Sequence, residues 1–150
     1  MKKIIFFFIL ILGIFIYYFL NDSYRYSLEA KAYYSMGEYD KAYELSKKAY
    51  KINRYNTMAF TVLTQSKIAL IWVKYIKESD EYFMQINSIS NKEIITLSDK
   101  IRIKMMLQII IGQYKNLPHS KLLNKDLENK AKQIYTKAKE LYDGIFKKTT

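Results

Sequence analysis

His119 is the single histidine and the chain has no cysteine, so its capacity for acid–base, nucleophilic or metal chemistry rests on very few residues. A Ser-His-Asp arrangement would have to use this one ring, and a metal site built on two histidines or on thiolates is excluded. His119 follows Pro118 in "KNLPHS", which reads as a loop because proline disfavours a helical residue before it. An exposed ring with no catalytic duty is the simpler reading. The run "KESDEY" sets Glu78, Asp80 and Glu81 together, but it lacks the loop glycine and regular ligand spacing of a calcium site. A helix start or a solvated acidic patch explains it. No phosphate-cradling loop or dinucleotide glycine fingerprint occurs. These residues point away from an enzyme, and no catalytic, cofactor-binding or metal-ligating residue is expected.

The elements behind them follow from composition. Half of the 150 residues are hydrophobic and 16% aromatic, which argues against disorder for the chain as a whole. One proline and four glycines leave long helices uninterrupted, so an all-α fold is expected. Without disulfides, stability must come from packing. The formal charge of +11 suits lipid headgroups, an anionic polymer or nucleic acid. The abundance of Lys, Ile, Asn and Tyr is also the coding bias of an AT-rich genome, so charge alone assigns no ligand.

The N-terminus, "MKKIIFFFILILGIFIYYFLND", puts Lys2 and Lys3 before an uncharged apolar run from Ile4 to Leu20, interrupted only by Gly13. At ~1.5 Å per residue this run is about 25 Å long, the short end of what crosses a bilayer core. Tyr17 and Tyr18 sit where headgroups favour amphipathic rings. Small residues of the kind found at a signal-peptide cleavage site do not follow the run. Residues 1–22 are therefore expected to be a single-pass signal anchor and residues 23–150 one helical domain. Lysines hard against the span favour a cytoplasmic N-terminus, which puts the bulk of the chain outside the cytoplasm, periplasmic or at the cell surface.

Periodicity divides the remainder into about four to six helices. A first helix covers Tyr24 to Met36, either continuous with the anchor or freshly capped by Asn21, Asp22 or Ser23. Gly37 supplies a turn, and Tyr39, Ala42, Leu45, Ala49 and Ile52 mark a second helix to Ile52. Asn56 is placed to cap a third, for which a break or kink near Ser79 and Asp80 is expected. "SNKEIITLSDK" offers two capping-box starts, Ser90 to Glu93 and Thr96 to Asp99. The helix after it, to about Tyr114, is apolar on most sides and expected to be interior. A last helix from about Lys121 to Phe146 carries Leu127, Ala131, Ile134, Ala138, Leu141 and Ile145 as a single seam, with Lys125, Lys132 and Lys139 on its solvated side.

Within this array, residues 26 to 56 carry an aromatic start at Tyr26, small Ala30, Tyr33, then "GEYDKA" from Gly37 to Ala42, Ala49, and Asn56 where a next unit begins. This stretch resembles one tetratricopeptide repeat, in which small residues let paired helices approach and rings fill the gaps between them. Ser46, Glu29 and Arg54 depart from the family's pattern. "NTMAFTVLTQSKIAL" resembles a degenerate second unit, without the glycine turn.

The resemblance implies a binding surface and not a reaction: a concave groove taking a peptide or protein segment. Carried over position by position, it would be lined by Tyr24, Ser27, Lys31, Tyr34, Met58, Thr61, Gln65 and Ile68. Only Lys31 is charged, so a carboxylate clamp is not implied. The expected partners are membrane-associated proteins, in a homo- or hetero-oligomer, with residues 4–20 in the membrane. A bacterial envelope scaffold or assembly factor fits best. The alternative is a basic membrane-anchored module binding an anionic polymer, lipid surface or nucleic acid, the last disfavoured because only Arg25, Arg54 and Arg102 are arginines and no recognised module is present.

Overall fold

Helices account for most of the described residues of the computed structural model, which describes residues 6–7, 9–14 and 21–147. No strand occurs among the described residues, and the fold is all-α. The apolar run read as a membrane anchor lies partly outside the described residues; residues 6–7 and 9–14 of it are helical and exposed. Among the described residues no helix is long and apolar enough to cross a membrane. Five further helices follow: α1 (Asp22–Ser35), α2 (Tyr39–Ile52), α3 (Thr57–Ser90), α4 (Leu97–Lys115) and α5 (Lys125–Phe146). Contacts divide the chain into a first unit, Met1–Lys67, and a second, Ile68–Thr150.

In the first unit, α1 starts afresh at Asn21, whose side chain accepts from the Ser23 N–H at 3.1 Å. It stops at a Schellman turn: the Glu38 N–H reaches Tyr33 O at 3.0 Å and the Gly37 N–H reaches Tyr34 O at 3.1 Å. Gly37 takes φ 83° there, a left-handed conformation that only glycine adopts without cost. The chain therefore reverses, and Ser23 near the start of α1 meets Ala49 near the end of α2, the Ser23 hydroxyl donating to Ala49 O at 2.9 Å. The two helices are antiparallel, as the spacing about Gly37 predicts.

Small residues set how closely they approach. Ala30, Ala42, Ala49 and Ala59 are fully buried, and Val62 packs with Ala30 and Ala42 under Tyr33, Tyr34, Leu45 and Met58. Tyr39 is buried and meets Tyr34 edge-on at 5.3 Å. The methyl groups of these alanines have no solvent-facing side into which three extra carbons could extend. Ala42→Leu and Ala49→Leu are each expected to cost ~1–3 kcal/mol by overpacking, read as a lower denaturation midpoint. Unchanged midpoints in both would show that the helices are not in close contact at these positions.

The second unit is an up-down-up bundle of the later part of α3 with α4 and α5. Trp72 lies by Pro118 and Glu78 by Gln113, so α3 and α4 run antiparallel; Gln108 meets Tyr142 and Lys104 meets Phe146, so α4 and α5 do as well. Buried Trp72, Tyr75, Ile76, Ile86 and Ile89 come from α3, Ile103, Met106, Leu107 and Ile110 from α4, and Ala131, Ile134 and Ala138 from α5.

Four expectations are corrected here. α3 passes through Ser79 and Asp80 without a break; it contains neither glycine nor proline, Ser79 is buried, and Asp80 faces Lys130 across the bundle at 3.9 Å. Ser90 ends α3 and starts nothing, so of the two capping boxes only Thr96–Asp99 is formed. α4 is not interior on all sides: Ile101, Met105 and Ile109 are 50%, 50% and 40% exposed. α5 begins at Lys125 rather than Lys121, because the Asn124 side chain accepts from the Asp126 N–H at 2.8 Å and Asp126 and Glu128 in the first turn complement the helix dipole.

The box at the start of α4 makes a pH prediction. Asp99 is nearly inaccessible; it accepts from Lys92 Nζ at 2.8 Å, from Thr96 Oγ1 at 2.9 Å and from the Thr96 N–H at 3.2 Å. The Lys92 bond first, and then those from Thr96, hold its carboxyl down at about 2. The folded value lies below the unfolded one, so the contribution to stability is full above about pH 4 and disappears as pH falls through about 2. Thermal melts across that window should fall more steeply for the parent chain than for Asp99→Asn. Parallel slopes would remove Asp99 from the acid response.

Candidate functional site

The groove implied by the repeat resemblance draws on α1 and the first turns of α3. Ser27 does not line it. Its side chain is fully buried, donating to Tyr24 O at 2.9 Å and accepting from Asn56 Nδ2 at 3.2 Å. It belongs to a polar pin instead: Asn56, 1% exposed, also donates to Ser23 O and Ser23 Oγ at 3.2 and 2.9 Å, while its Oδ1 accepts from the Ala59 N–H at 3.1 Å. The cap expected at Asn56 thus also joins α3 to α1.

Of the other groove positions in the first unit, Lys31 and Thr61 are exposed, and Tyr24, Tyr34, Met58 and Gln65 are half-buried. Tyr34 and Met58 pack on the Ala30–Ala42–Val62 core, and burial raises the Tyr34 phenol above its usual value. Ile68, half-buried, belongs to the second unit. The surface that can meet a partner here is therefore narrower than the eight residues suggest. It is a mixed aromatic and polar strip in which Lys31 is the one charged residue of the eight.

Sequence periodicity missed a second feature of α1 and α2. Lysines and tyrosines interlock on their surface: Lys48 Nζ sits 4.0 Å from the Tyr26 ring centre and donates to its hydroxyl at 2.7 Å. Lys41 stands over Tyr33 at 5.3 Å and Lys47 over Tyr43 at 5.4 Å, with Arg25 over Tyr26 at 5.1 Å. The Lys48 bond, followed by Arg25, lowers the Tyr26 phenol below its usual value. Spacing holds the signal for the Lys47–Tyr43 pair, four residues apart on one helix face. Lys48–Tyr26 depends on the hairpin.

In the second unit the rings of Trp72, Tyr75, Tyr114 and Tyr135 form a cluster, Tyr114 stacking on Tyr135 at 4.5 Å and meeting Trp72 edge-on at 6.4 Å. Burial pushes the Tyr75 phenol up to about 12, against the opposing influence of the neighbouring Ser79 hydroxyl. His119 lies exposed at the rim of an open cavity of about 510 Å³ shared with Trp72, Leu123, Lys121, Lys125 and Glu128. Glu78 pairs with Lys74 at 3.7 Å and accepts from Gln113, and Asp80 pairs with Lys130, so these two acids of "KESDEY" serve helix surface and bundle contacts, while Glu81 is exposed. Among the described residues no group of three His, Cys, Asp or Glu side chains is arranged to hold a metal.

Comparison of the chain with protein-family models, with curated proteins and with solved structures gave no match. The class that the fold and the site define is that of an all-α protein with a small-residue helical hairpin, and the functional reading rests on its own residues.

Proposed function

We propose that this chain is a membrane-anchored, tetratricopeptide-like scaffold or assembly factor that docks protein partners in a bacterial cell-envelope complex. The observation that carries this reading is the hairpin about Gly37, where Ala30, Ala42 and Ala49 are fully buried between two antiparallel helices and Asn56 starts the next helix at the repeat spacing. Exposed groups on the α1–α3 side, at Lys31 and Thr61, offer the contact surface. An apolar N-terminal run would add confinement to two dimensions, which raises the effective concentration of the domain towards a membrane-bound partner.

Photo-crosslinkers placed at Lys31 and Thr61 in intact membranes test it. The expected result is one or a few discrete adducts that persist in high salt, since a packed interface is only weakly screened. The Lys–Tyr surface of α1 and α2 favours a second reading, a basic module on an anionic polymer or lipid surface; attachment of that kind weakens steeply as salt rises. Adducts that vanish at high salt would replace the first reading by the second.

A further inference from the structure

The outward side of α4 carries an apolar stripe with cations at both margins, interrupted only by Ser98 and by Gln108, which donates to the Tyr142 hydroxyl at 3.3 Å. At 3.6 residues per turn, Leu97, Ile101, Met105 and Ile109 form one stripe, opposite the buried Ile103, Met106, Leu107 and Ile110. The stripe is 75%, 50%, 50% and 40% exposed from its start to its end. Ile94 and Ile95, just before the helix, extend it at 78% and 40% exposure. Lys100 and Lys104 flank it on one side and Arg102 on the other, all exposed, with Lys104 Nζ also 5.7 Å over the Phe146 ring. The one carboxylate of α4, Asp99, points to the buried side and is neutralised by Lys92. Apart from Asp99, the nearest acid in sequence is Glu93, exposed in the loop beside Ile94.

A contiguous apolar face of this kind marks a surface made for contact. Its cations stand on both margins of the stripe with no acid of the helix between them, a charge pattern that complements a negatively charged plane. We infer that this face of α4 docks on an anionic lipid bilayer, with Leu97, Ile101 and Met105 in the headgroup–acyl boundary and Lys100, Arg102 and Lys104 among the lipid phosphates. The inference does not require the N-terminal run to span the membrane. The two fail separately, since resistance of the membrane-bound chain to alkaline extraction reports on the anchor and not on α4.

The absence of cysteine allows a single reporter thiol. The full chain carrying Met105→Cys with an environment-sensitive dye is reconstituted with vesicles of phosphatidylcholine alone or with about a third phosphatidylglycerol. With phosphatidylglycerol the dye should shift to the blue and be quenched by spin-labelled acyl chains; Lys139→Cys on the polar side of α5 should show neither effect. Replacing Lys100, Arg102 and Lys104 together by glutamine should lower the docking equilibrium constant about a hundredfold, roughly fivefold per cation. These substitutions are at exposed positions, and unchanged circular dichroism would confirm that the fold is kept. No shift with phosphatidylglycerol, an equal shift in both vesicles, or equal quenching at Lys139→Cys overturns the proposal. A blue shift without lipid quenching also overturns it, and assigns the face to a second copy of the chain.

Discussion

Trp72→Ala should destabilise the second unit by about 3–5 kcal/mol, the cost of removing a large buried ring and leaving a cavity. The indole is 2% exposed, stands edge-on to Tyr114, and donates its Nε1–H to Pro118 O at 2.9 Å. It therefore does two things: it fills the space between α3 and α4, and it fastens the loop that joins α4 to α5, whose Leu117 and Leu123 are also buried. Trp72→Phe separates these roles. It keeps most of the ring but loses the donor, leaving the Pro118 carbonyl unpaired, and should cost about 1–3 kcal/mol. Urea unfolding followed by far-ultraviolet circular dichroism gives the stabilities, and amide exchange at Leu117 and Leu123 should quicken in both variants. A loss below about 1 kcal/mol for Trp72→Ala would show that the indole does not anchor this loop, and equal losses for the two variants would show that its N–H bond, not its bulk, does so.

The parts of this fold that were legible in the sequence are those fixed by local backbone chemistry. Gly37 announces a left-handed residue, Thr96 and Asp99 a capping box, and Asn56 a helix start, because each satisfies backbone groups within a few residues of itself. The buried alanines were legible for a related reason: small side chains recurring on one helical face let a partner helix approach closely. What could not be read depended on partners distant in the chain. Ser79 and Asp80 look like a helix boundary, yet burial of one and the pairing of the other with Lys130 carry α3 straight through. α4 is apolar on both sides, and no periodicity says which side the bundle covers. Tyr75, Tyr114 and Tyr135 come together only because three helices alternate in direction. The groove shows the limit of positional transfer, since Ser27 holds a lining position by alignment and is turned inward by its bond to Asn56.

The pin around Asn56 has a consequence for how the first unit keeps its register. A seam of Ala30, Ala42, Ala49 and Ala59 is smooth, and methyl groups alone resist sliding of one helix along another only weakly. Asn56 removes that freedom by joining three elements: it caps α3 through Ala59, reaches Ser23 and Ser27 on α1, and through the Ser23 hydroxyl connects to Ala49 O on α2. Asn56→Ala loses a cap, typically about 1 kcal/mol, and strands buried oxygens at about 1–3 kcal/mol, so a total near 2–4 kcal/mol is expected. Asn56→Asp would keep the cap but bring a carboxylate up to three buried oxygens without donors of its own, and should be no less harmful at neutral pH while recovering as acid protonates it. The sharper measurement is a double-mutant cycle of Asn56→Ala with Ser27→Ala in chemical denaturation. If the side chains act as one network, the double variant will be more stable than the sum of the singles implies, by about 0.5–3 kcal/mol. Strict additivity would mean that Asn56 acts as a cap alone and that the alanine seam keeps its register by shape.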